Sequence, residues 1–250
     1  MIFDPPEVIG HRGAGRGVVD GAEENTLASF AAAVAAGAAW VEVDVRRSAD
    51  DELLVHHDAA LPDGRVIVDL PASAAREAGL VTLEEVLDAV PEHIGIDVDV
   101  KTVMEDAVDA PSRRTTTLLM PHLKRESRRR RLFVCSFDPA ALLAVHEADR
   151  AIATAWMPFV RSPLDQAVAG AAGMGCAAVA IDARSFGLST DEPRPGRRAV
   201  ARTVDVAHRA GLEVVCWCPG PADSARFSDA GVDALVVDDV PGVLAALKER

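Results

Sequence analysis

The chain has 250 residues, of which 49% are hydrophobic and 26% are charged, a balance typical of a folded globular protein and not of a disordered one. Its formal net charge of −13 argues against non-specific nucleic-acid binding and against attachment to an anionic membrane surface. No apolar run is long enough to span a bilayer and residues 1–10 lack a signal-peptide pattern, so we expect a cytoplasmic protein without a stable membrane anchor.

Short apolar segments with the composition of β-strands alternate along the chain with helical segments. An alanine-rich helix is predicted at residues 26–36 with Gly37 as its C-cap, and another begins at Thr82, which is spaced from Glu85 as in a capping box. The main strands are predicted at residues 8–11, 40–45, 94–101, 132–137, 151–156, 177–182, 213–218 and 234–238. Eight strand–helix units predict a single-domain (β/α)8 barrel of the TIM type over residues 1–250.

An open, doubly wound sheet is the alternative to the barrel. Such a sheet usually carries a glycine-rich nucleotide-binding turn between its first strand and first helix. Gly13, Gly15 and Gly17 follow the first strand, but no helix begins directly after them, so the barrel is favoured. A short loop insertion is predicted around residues 59–81, and an exposed, proline-containing loop at residues 183–198.

Acidic side chains alternate with aliphatic ones along the second and third main strands. Glu42 and Asp44 share one face of the second strand, and Asp97, Asp99 and Lys101 share one face of the third. Inward-facing carboxylates are unfavourable unless they are paired or bind a metal, and a hard cation requires several converging oxygen ligands. The alternative is a buried salt-bridge network in which a nearby lysine or arginine balances the acids.

Two histidines flank these acids. His11 ends the first strand, and His57 ends an extended segment that follows the second strand. A single histidine at a strand end is more often structural than catalytic. A pair beside an acidic cluster can supply an acid and a base near neutral pH. Because active sites of TIM-type barrels lie at the carboxyl ends of the strands, these residues predict one shared site.

The four cysteines are predicted to be free thiols, since most lie in apolar, strand-like segments. Cys216 and Cys218 are expected to share one face of a strand. No second cysteine pair lies at the spacing of a zinc site, so a metal-binding role for them is disfavoured.

Several ordered motifs resemble the glycerophosphodiester phosphodiesterase family. The clear similarities are Gly10-His11-Arg12-Gly13, Glu24-Asn25-Thr26, Gly37-Ala38-Ala39-Trp40-Val41-Glu42-Val43-Asp44-Val45 and Val55-His56-His57-Asp58. Weaker similarities continue through Asp99-Val100-Lys101 and Trp217 to the segment that ends at Asp238. Because the motifs keep their order and spacing, the resemblance is specific and extends over the whole predicted barrel.

The resemblance implies a TIM-type barrel that hydrolyses a small-molecule glycerophosphodiester to glycerol 3-phosphate and an alcohol. It implies a divalent cation, Ca²⁺ or Mg²⁺, held by Glu42, Asp44 and Asp99. It also implies roles for the other motif residues: His11 and His57 as the acid/base pair, Arg12 as a phosphate contact, and Glu24 and Trp217 as residues that line the site. The positive charge of Lys101 makes it a second candidate contact for phosphate oxygens.

The sequence departs from the family pattern where a head group would be recognised. Asp99 stands in place of the usual glutamate, and Cys218-Pro219-Gly220 replaces a polar turn. Three functions are therefore considered. The first is hydrolysis of a soluble glycerophosphodiester. The second is lysophospholipase D or phosphoinositide-type activity, for which the apolar residues 156–160 could form a lip, although barrel packing is the preferred interpretation. The third is non-catalytic binding of phosphate metabolites, which the two histidines and the acids disfavour.

Overall fold

A closed ring of eight parallel strands forms the centre of the computed structural model, which describes residues 1–186 and 199–249. The strands are β1 (Glu7–Gly10), β2 (Trp40–Arg47), β3 (Gly95–Val100), β4 (Leu132–Ser136), β5 (Ala153–Trp156), β6 (Ala178–Asp182), β7 (Glu213–Trp217) and β8 (Ala234–Val237). β1 pairs in parallel with both β2 and β8, which closes the ring. The predicted (β/α)8 barrel is confirmed.

Helices connect successive strands on the outside of the ring. In the described residues they are α1 (Leu27–Ala36), α2 (Ala72–Glu77), α3 (Leu83–Ala89), α4 (Thr115–Glu126), α5 (Pro139–Ala148), α6 (Leu164–Gly173), α7 (Val200–Arg209), α8 (Pro221–Asp229) and α9 (Val240–Lys248). Local sequence sets their ends: Gly37 adopts a left-handed conformation as the C-cap of α1, and Thr82 with Glu85 forms the capping box of α3. Within residues 1–186 and 199–249, no helix is both long and apolar enough to cross a membrane.

Short elements lie outside the ring. Val18–Val19 and Ala22–Glu23 form a small hairpin, and Leu53–Val55 pairs antiparallel with both the end of β2 and Val81–Thr82. Single 3₁₀ turns occur at Ile67–Asp69, Met104–Ala107, Pro111–Arg113 and Ala183–Ser185.

The region predicted as an insertion, residues 59–81, covers a small satellite core. It contains α2, and its buried side chains pack beside the barrel on Leu54 of the preceding short strand: Leu61, Ile67, Ala72 and Ala75. Of the loop predicted at residues 183–198, the first three residues form a 3₁₀ turn, and residues 187–198 lie outside the described part of the chain.

The barrel interior is apolar at one end and acidic at the other. At the amino ends of the strands, the rings of Phe3, Trp40 and Phe133 pack against one another with centroids 5.4–5.6 Å apart. A Cβ atom at Gly95 would lie 2.2 Å from the Trp40 ring, so glycine is needed there for the ring to fit. The buried acids of β2 and β3 lie toward the opposite, carboxyl ends of the strands.

Candidate active site

Three buried carboxylates meet at the carboxyl ends of β2 and β3. The register of the two strands pairs Glu42 with Asp97 and Asp44 with Asp99. One carboxylate oxygen from each of Glu42, Asp44 and Asp99 lies within 4.8 Å of the others, and each residue is no more than 4% exposed. Asp97 is equally buried but lies outside this cluster.

Two cationic side chains contact the acids. The Lys101 ammonium lies 2.9 Å from Asp44 Oδ1 and also donates to Asp99 Oδ2. The Arg12 Nε atom lies 3.5 Å from Asp44 Oδ2. The buried salt-bridge network considered from the sequence is therefore present. Lys101, a candidate phosphate contact, is bound to the acids in this structure.

The negative charge of the cluster is only partly balanced. Burial, together with the charges of Asp44 and Asp99, raises the pKa of Glu42 well above its ordinary value. Burial raises the pKa of Asp99 to about 6. Burial also acts to raise the pKa of Asp44, but the Lys101 ammonium holds it below its usual range.

These carboxylates fit a hard divalent cation. They supply only oxygen ligands, they converge from two rigid strands, and their charge exceeds that of the nearby cations. In addition, the buried Asp99 Oδ1 atom has no hydrogen-bond partner within the described residues, so it remains available to a cation. A further positive charge would allow Glu42 to ionise.

The loops that follow β1 hold the cluster in position. The Arg12 backbone N–H donates to Glu42 Oε2 at 2.7 Å, and the Asn25 side-chain amide donates to Asp44 Oδ2 at 2.8 Å. Both Arg12 and Asn25 have positive φ angles, a conformation that asparagine tolerates better than most residues. Glu24 accepts a hydrogen bond from Arg12 Nη1 at 2.7 Å and thereby orients the guanidinium.

His11 lies directly after β1, and Asp238 lies directly after the neighbouring β8. The His11 backbone N–H donates to the Val237 carbonyl at 3.0 Å, and the ring Nδ1 lies 2.7 Å from Asp238 Oδ1. The His11 side chain is 12% exposed. Because Nδ1 is engaged, Nε2 is the ring nitrogen available to a ligand.

His57 is held by its backbone and by the adjacent residue. Arg46 donates two hydrogen bonds to the His57 carbonyl, and the His57 ring Nδ1 lies 2.7 Å from Asp58 Oδ1. Burial lowers the pKa of His57 below its ordinary value, although the charge of Asp44 opposes this shift.

The two histidines line one cleft at the carboxyl ends of the strands. Of the other residues selected from the sequence, five also line it: Arg12, Glu42, Asp99, Lys101 and Trp217. Asp44 lies buried beside Lys101, and Glu24 lies beside Arg12. The structure therefore brings all nine selected residues to the same end of the barrel, as expected for this fold.

An aromatic wall of Phe137, Phe159 and Trp217 borders the cleft. The Phe137 ring is stacked on Phe159 at 5.3 Å and meets Trp217 edge-on at 6.0 Å. Phe159 is 73% exposed, so part of the apolar segment after β5 faces solvent and does not pack in the barrel.

Several residues of the site were not selected from the sequence. Asp238 contacts His11, Asn25 contacts Asp44, and Arg16 contacts Asp238. Asp238 could have been selected from the sequence, because it is an acid at the end of a barrel strand. The signal for Asn25 was its place in the Glu-Asn-Thr motif.

The expectation that Cys216 and Cys218 share a strand face is wrong. Cys216 is buried between the barrel and the helices. Cys218 follows β7 with φ of +55°, and its sulfur lies 3.6 Å from His11 Nδ1 in the cleft. Burial and the charge of Asp238 raise the pKa of the Cys218 thiol to about 12, and all four cysteines are free.

Comparisons with known proteins agree with the barrel fold. A glycerophosphodiester phosphodiesterase from Parabacteroides distasonis ATCC 8503 has the same fold with a TM-score of 0.78, at 21% identity over 99% of both chains. A phosphodiesterase from Oleispira antarctica, solved in complex with the product sn-glycerol-3-phosphate, gives a TM-score of 0.75 at 23% identity over 97% of both chains.

One curated relative and a family model extend the comparison. The glycerophosphocholine phosphodiesterase of Eremothecium gossypii is 38% identical over 85 residues, which span 32% of this chain but only 6% of that protein. The model of the glycerophosphoryl diester phosphodiesterase family matches residues 11–241. Because this match covers nearly the whole chain, the protein belongs to the glycerophosphoryl diester phosphodiesterase family.

Proposed function

We propose that this protein is a phosphodiester hydrolase that depends on a divalent cation and cleaves glycerophosphodiesters to glycerol 3-phosphate and an alcohol. The observation that carries the proposal is the arrangement of one cleft, in which three buried carboxylates lie close to two histidines that are each bound to an aspartate. Glu42, Asp44 and Asp99 would hold the cation. The product in the Oleispira antarctica structure supports glycerol 3-phosphate as the released phosphate.

Substrate binding would begin with the phosphate group. The Arg12 guanidinium, held by Glu24, lines the cleft and can donate to phosphate oxygens. The Lys101 ammonium, which also lines the cleft, would add a second positive charge near the acids. When bound, a divalent cation supplies electrostatic stabilisation of the negative charge that grows on the phosphate in the transition state.

Proton transfer would fall to the two histidines. One imidazole accepts the proton of the attacking hydroxyl oxygen, and the other donates a proton to the leaving alcohol oxygen. In each ring the nitrogen Nδ1 is engaged by an aspartate, which leaves Nε2 for the reacting oxygens. The hydrogen bond from Asp58 would also favour the protonated form of the His57 ring.

A matched activity assay tests this function. Release of glycerol 3-phosphate would be measured from glycerophosphocholine and glycerophosphoethanolamine, after chelation and after addition of Ca²⁺, Mg²⁺ or Mn²⁺. We expect turnover only with a cation, and a loss of about 10²–10⁴-fold in His57→Ala, the range that general acid–base catalysis contributes. Absence of turnover with every cation, or full activity of His57→Ala, would refute the proposal.

A titration with metal tests the ligand set. Asp99→Asn replaces one carboxylate of the cluster, whereas Asp97→Asn makes the same replacement at a neighbouring, equally buried acid outside it. We expect the metal concentration for half-maximal activity to rise at least tenfold in Asp99→Asn and far less in Asp97→Asn. Equal effects in the two variants would contradict the assignment of Asp99 as a ligand.

A second candidate function uses the same site with a lysophospholipid. The exposed Phe159 and the ring of Phe137 that it stacks on form an apolar wall at the cleft, which could contact an acyl chain. Lysophosphatidylcholine in the same assay distinguishes the two functions. Faster release of choline from lysophosphatidylcholine than from glycerophosphocholine, together with its loss in Phe159→Ser, would favour the lipid substrate.

A further inference from the structure

Three potential metal ligands of different chemistry meet beside the carboxylate cluster. The Nδ1 atom of His11, the sulfur of Cys218 and a carboxylate oxygen of Asp238 all lie within 4.8 Å of one another. They follow β1, β7 and β8, which are neighbours in the ring. Backbone hydrogen bonds tie these ends together, since the N–H groups of His11 and Cys218 donate to the carbonyls of β8 at 3.0 and 2.8 Å.

The distances agree with a tetrahedral zinc site. Typical Zn–S and Zn–N bond lengths place a thiolate sulfur and an imidazole nitrogen about 3.6 Å apart. The observed distance from Cys218 Sγ to His11 Nδ1 is 3.6 Å. A tetrahedral nitrogen–oxygen pair is separated by about 3.4 Å, and the His11–Asp238 hydrogen bond of 2.7 Å needs to open only slightly to reach this value.

The donor set also distinguishes this cluster from the carboxylates of β2 and β3. Glu42, Asp44 and Asp99 offer only oxygen ligands, which suit hard cations such as Ca²⁺ and Mg²⁺. A cluster with a thiolate and an imidazole prefers Zn²⁺ and other thiophilic cations. The two clusters border the same cleft, and they differ in the metal that each would select.

We propose that His11, Cys218 and Asp238 form a second, inhibitory site for a thiophilic divalent cation such as Zn²⁺. The inhibitory effect rests on the proposed function, because it requires His11 to act in catalysis. As the metal–sulfur bond forms, the Cys218 thiol proton passes to solvent. The metal takes the place of the proton that His11 Nδ1 shares with Asp238, and the neutral ring takes up this one proton at Nε2 instead. With its hydrogen on Nε2, the His11 ring can no longer accept a proton there.

Arg16 is the group that must move when the site fills. Its backbone N–H and its Nε atom donate to the two oxygens of Asp238 at 3.1 and 2.8 Å. The Arg16 side chain is 57% exposed, so its guanidinium can turn into solvent and leave Asp238 to the cation. Three protein ligands would leave one tetrahedral position for water or for a substrate oxygen.

Binding can be tested without any activity measurement. Reduced, chelator-treated protein would be titrated with Co²⁺, whose charge-transfer absorption reports a bond to a thiolate and is silent for the carboxylate cluster. We expect this band in the wild type and in Cys176→Ala, which removes a buried thiol outside the cleft. We expect its loss in Cys218→Ser and in Cys218→Ala. Absence of the band in the wild type, or its persistence in both Cys218 variants, would overturn the proposed site.

Inhibition is the second measurement. With saturating Mg²⁺ or Ca²⁺, Zn²⁺ should inhibit the wild type and Cys176→Ala at concentrations at least tenfold lower than those needed for Cys218→Ser, each relative to its own activity without Zn²⁺. Equal sensitivity of all three proteins would overturn the inhibitory role. If no substrate is turned over, the proposed function fails, but the Co²⁺ titration still decides whether the metal site exists.

Discussion

The two histidines of the cleft make the same hydrogen bond in different surroundings. In each case ring Nδ1 lies 2.7 Å from an aspartate oxygen. The side chains of His11 and Asp238 are 12% and 30% exposed, whereas those of His57 and Asp58 are 37% and 77% exposed. The first pair joins two strands that are neighbours in the barrel, and the second joins two consecutive residues.

This difference indicates that the fold fixes one ring more firmly than the other. Asp238 is itself held by Arg16, so the orientation of the His11 ring is set by the ends of two barrel strands. His57 is anchored mainly through its carbonyl, which Arg46 binds, while water can replace the exposed Asp58. We therefore infer that Asp238 is a positioning residue for His11 and that Asp58 is largely dispensable.

The largest expected effect separates these two aspartates. Asp238→Asn should lower kcat about 100-fold, near the lower end of what general acid–base catalysis contributes, because an amide does not hold the ring in one tautomer. Asp58→Asn should stay within about threefold of the wild type, since an exposed ion pair contributes only about 0.2–1 kcal/mol. Steady-state kinetics on glycerophosphocholine measures both variants.

Two details of these kinetics distinguish positioning from structural damage. A positioning role predicts that Asp238→Asn changes kcat much more than KM and shifts the pH profile of the remaining activity. A merely unfolded variant would instead lose active protein without a change in the pH profile. Equal losses in Asp238→Asn and Asp58→Asn would remove the distinction between the two pairs.

The two pairs also differ in how far they could be predicted from the sequence. His57 and Asp58 are adjacent, so their contact is visible in the chain itself. Asp238 lies 227 positions from His11, and the contact follows only once β8 is known to pair with β1. The eight strand–helix units predicted the barrel because apolar alternation reports local structure, and the closure of the ring then brings distant residues together.

Alternation predicted side-chain direction within strands but not beyond them. It correctly gave Glu42 and Asp44 a common inward face, because both lie inside β2. It failed for Cys218, because the residue lies after β7 with a positive φ angle, which turns its side chain toward His11. The sequence also left the role of Lys101 open, since a lysine near carboxylates can form a salt bridge or contact a phosphate. In the structure its ammonium contacts two acids.

A smaller effect concerns stability. The ionised Asp238 accepts hydrogen bonds from His11 and Arg16, and although burial opposes it, these contacts lower its pKa to about 2. Asp238→Asn should therefore lower the free energy of unfolding by about 2 kcal/mol at pH 7, a typical value for hydrogen bonds to a charged group. Asp58→Asn should change it by less than about 0.5 kcal/mol. Denaturant unfolding followed by circular dichroism measures both.

The loss of stability in Asp238→Asn should depend on pH in a defined direction. Because the folded pKa of Asp238 lies below its unfolded value, the stabilisation is present above about pH 4 and is lost as the pH falls toward 2. The difference between wild type and Asp238→Asn should shrink over this range. A difference that grew on acidification would show that the carboxylate is not stabilised by these contacts.

The smallest expected effect is the titration of His57. Burial lowers its pKa, whereas the hydrogen bond to Asp58 raises it, so the net midpoint should lie below 6.5 and the ring should be neutral at pH 7. Asp58→Asn should lower the midpoint further, because it removes the raising contribution, and Asp238→Asn should leave it unchanged. NMR of the ring C–H resonances in metal-free protein, assigned with His57→Ala, measures this directly. A midpoint above 6.5 would mean that burial does not dominate the pKa of His57. A midpoint that Asp58→Asn raises would mean that Asp58 does not support the protonated ring and that the two histidine–aspartate pairs differ in more than their exposure.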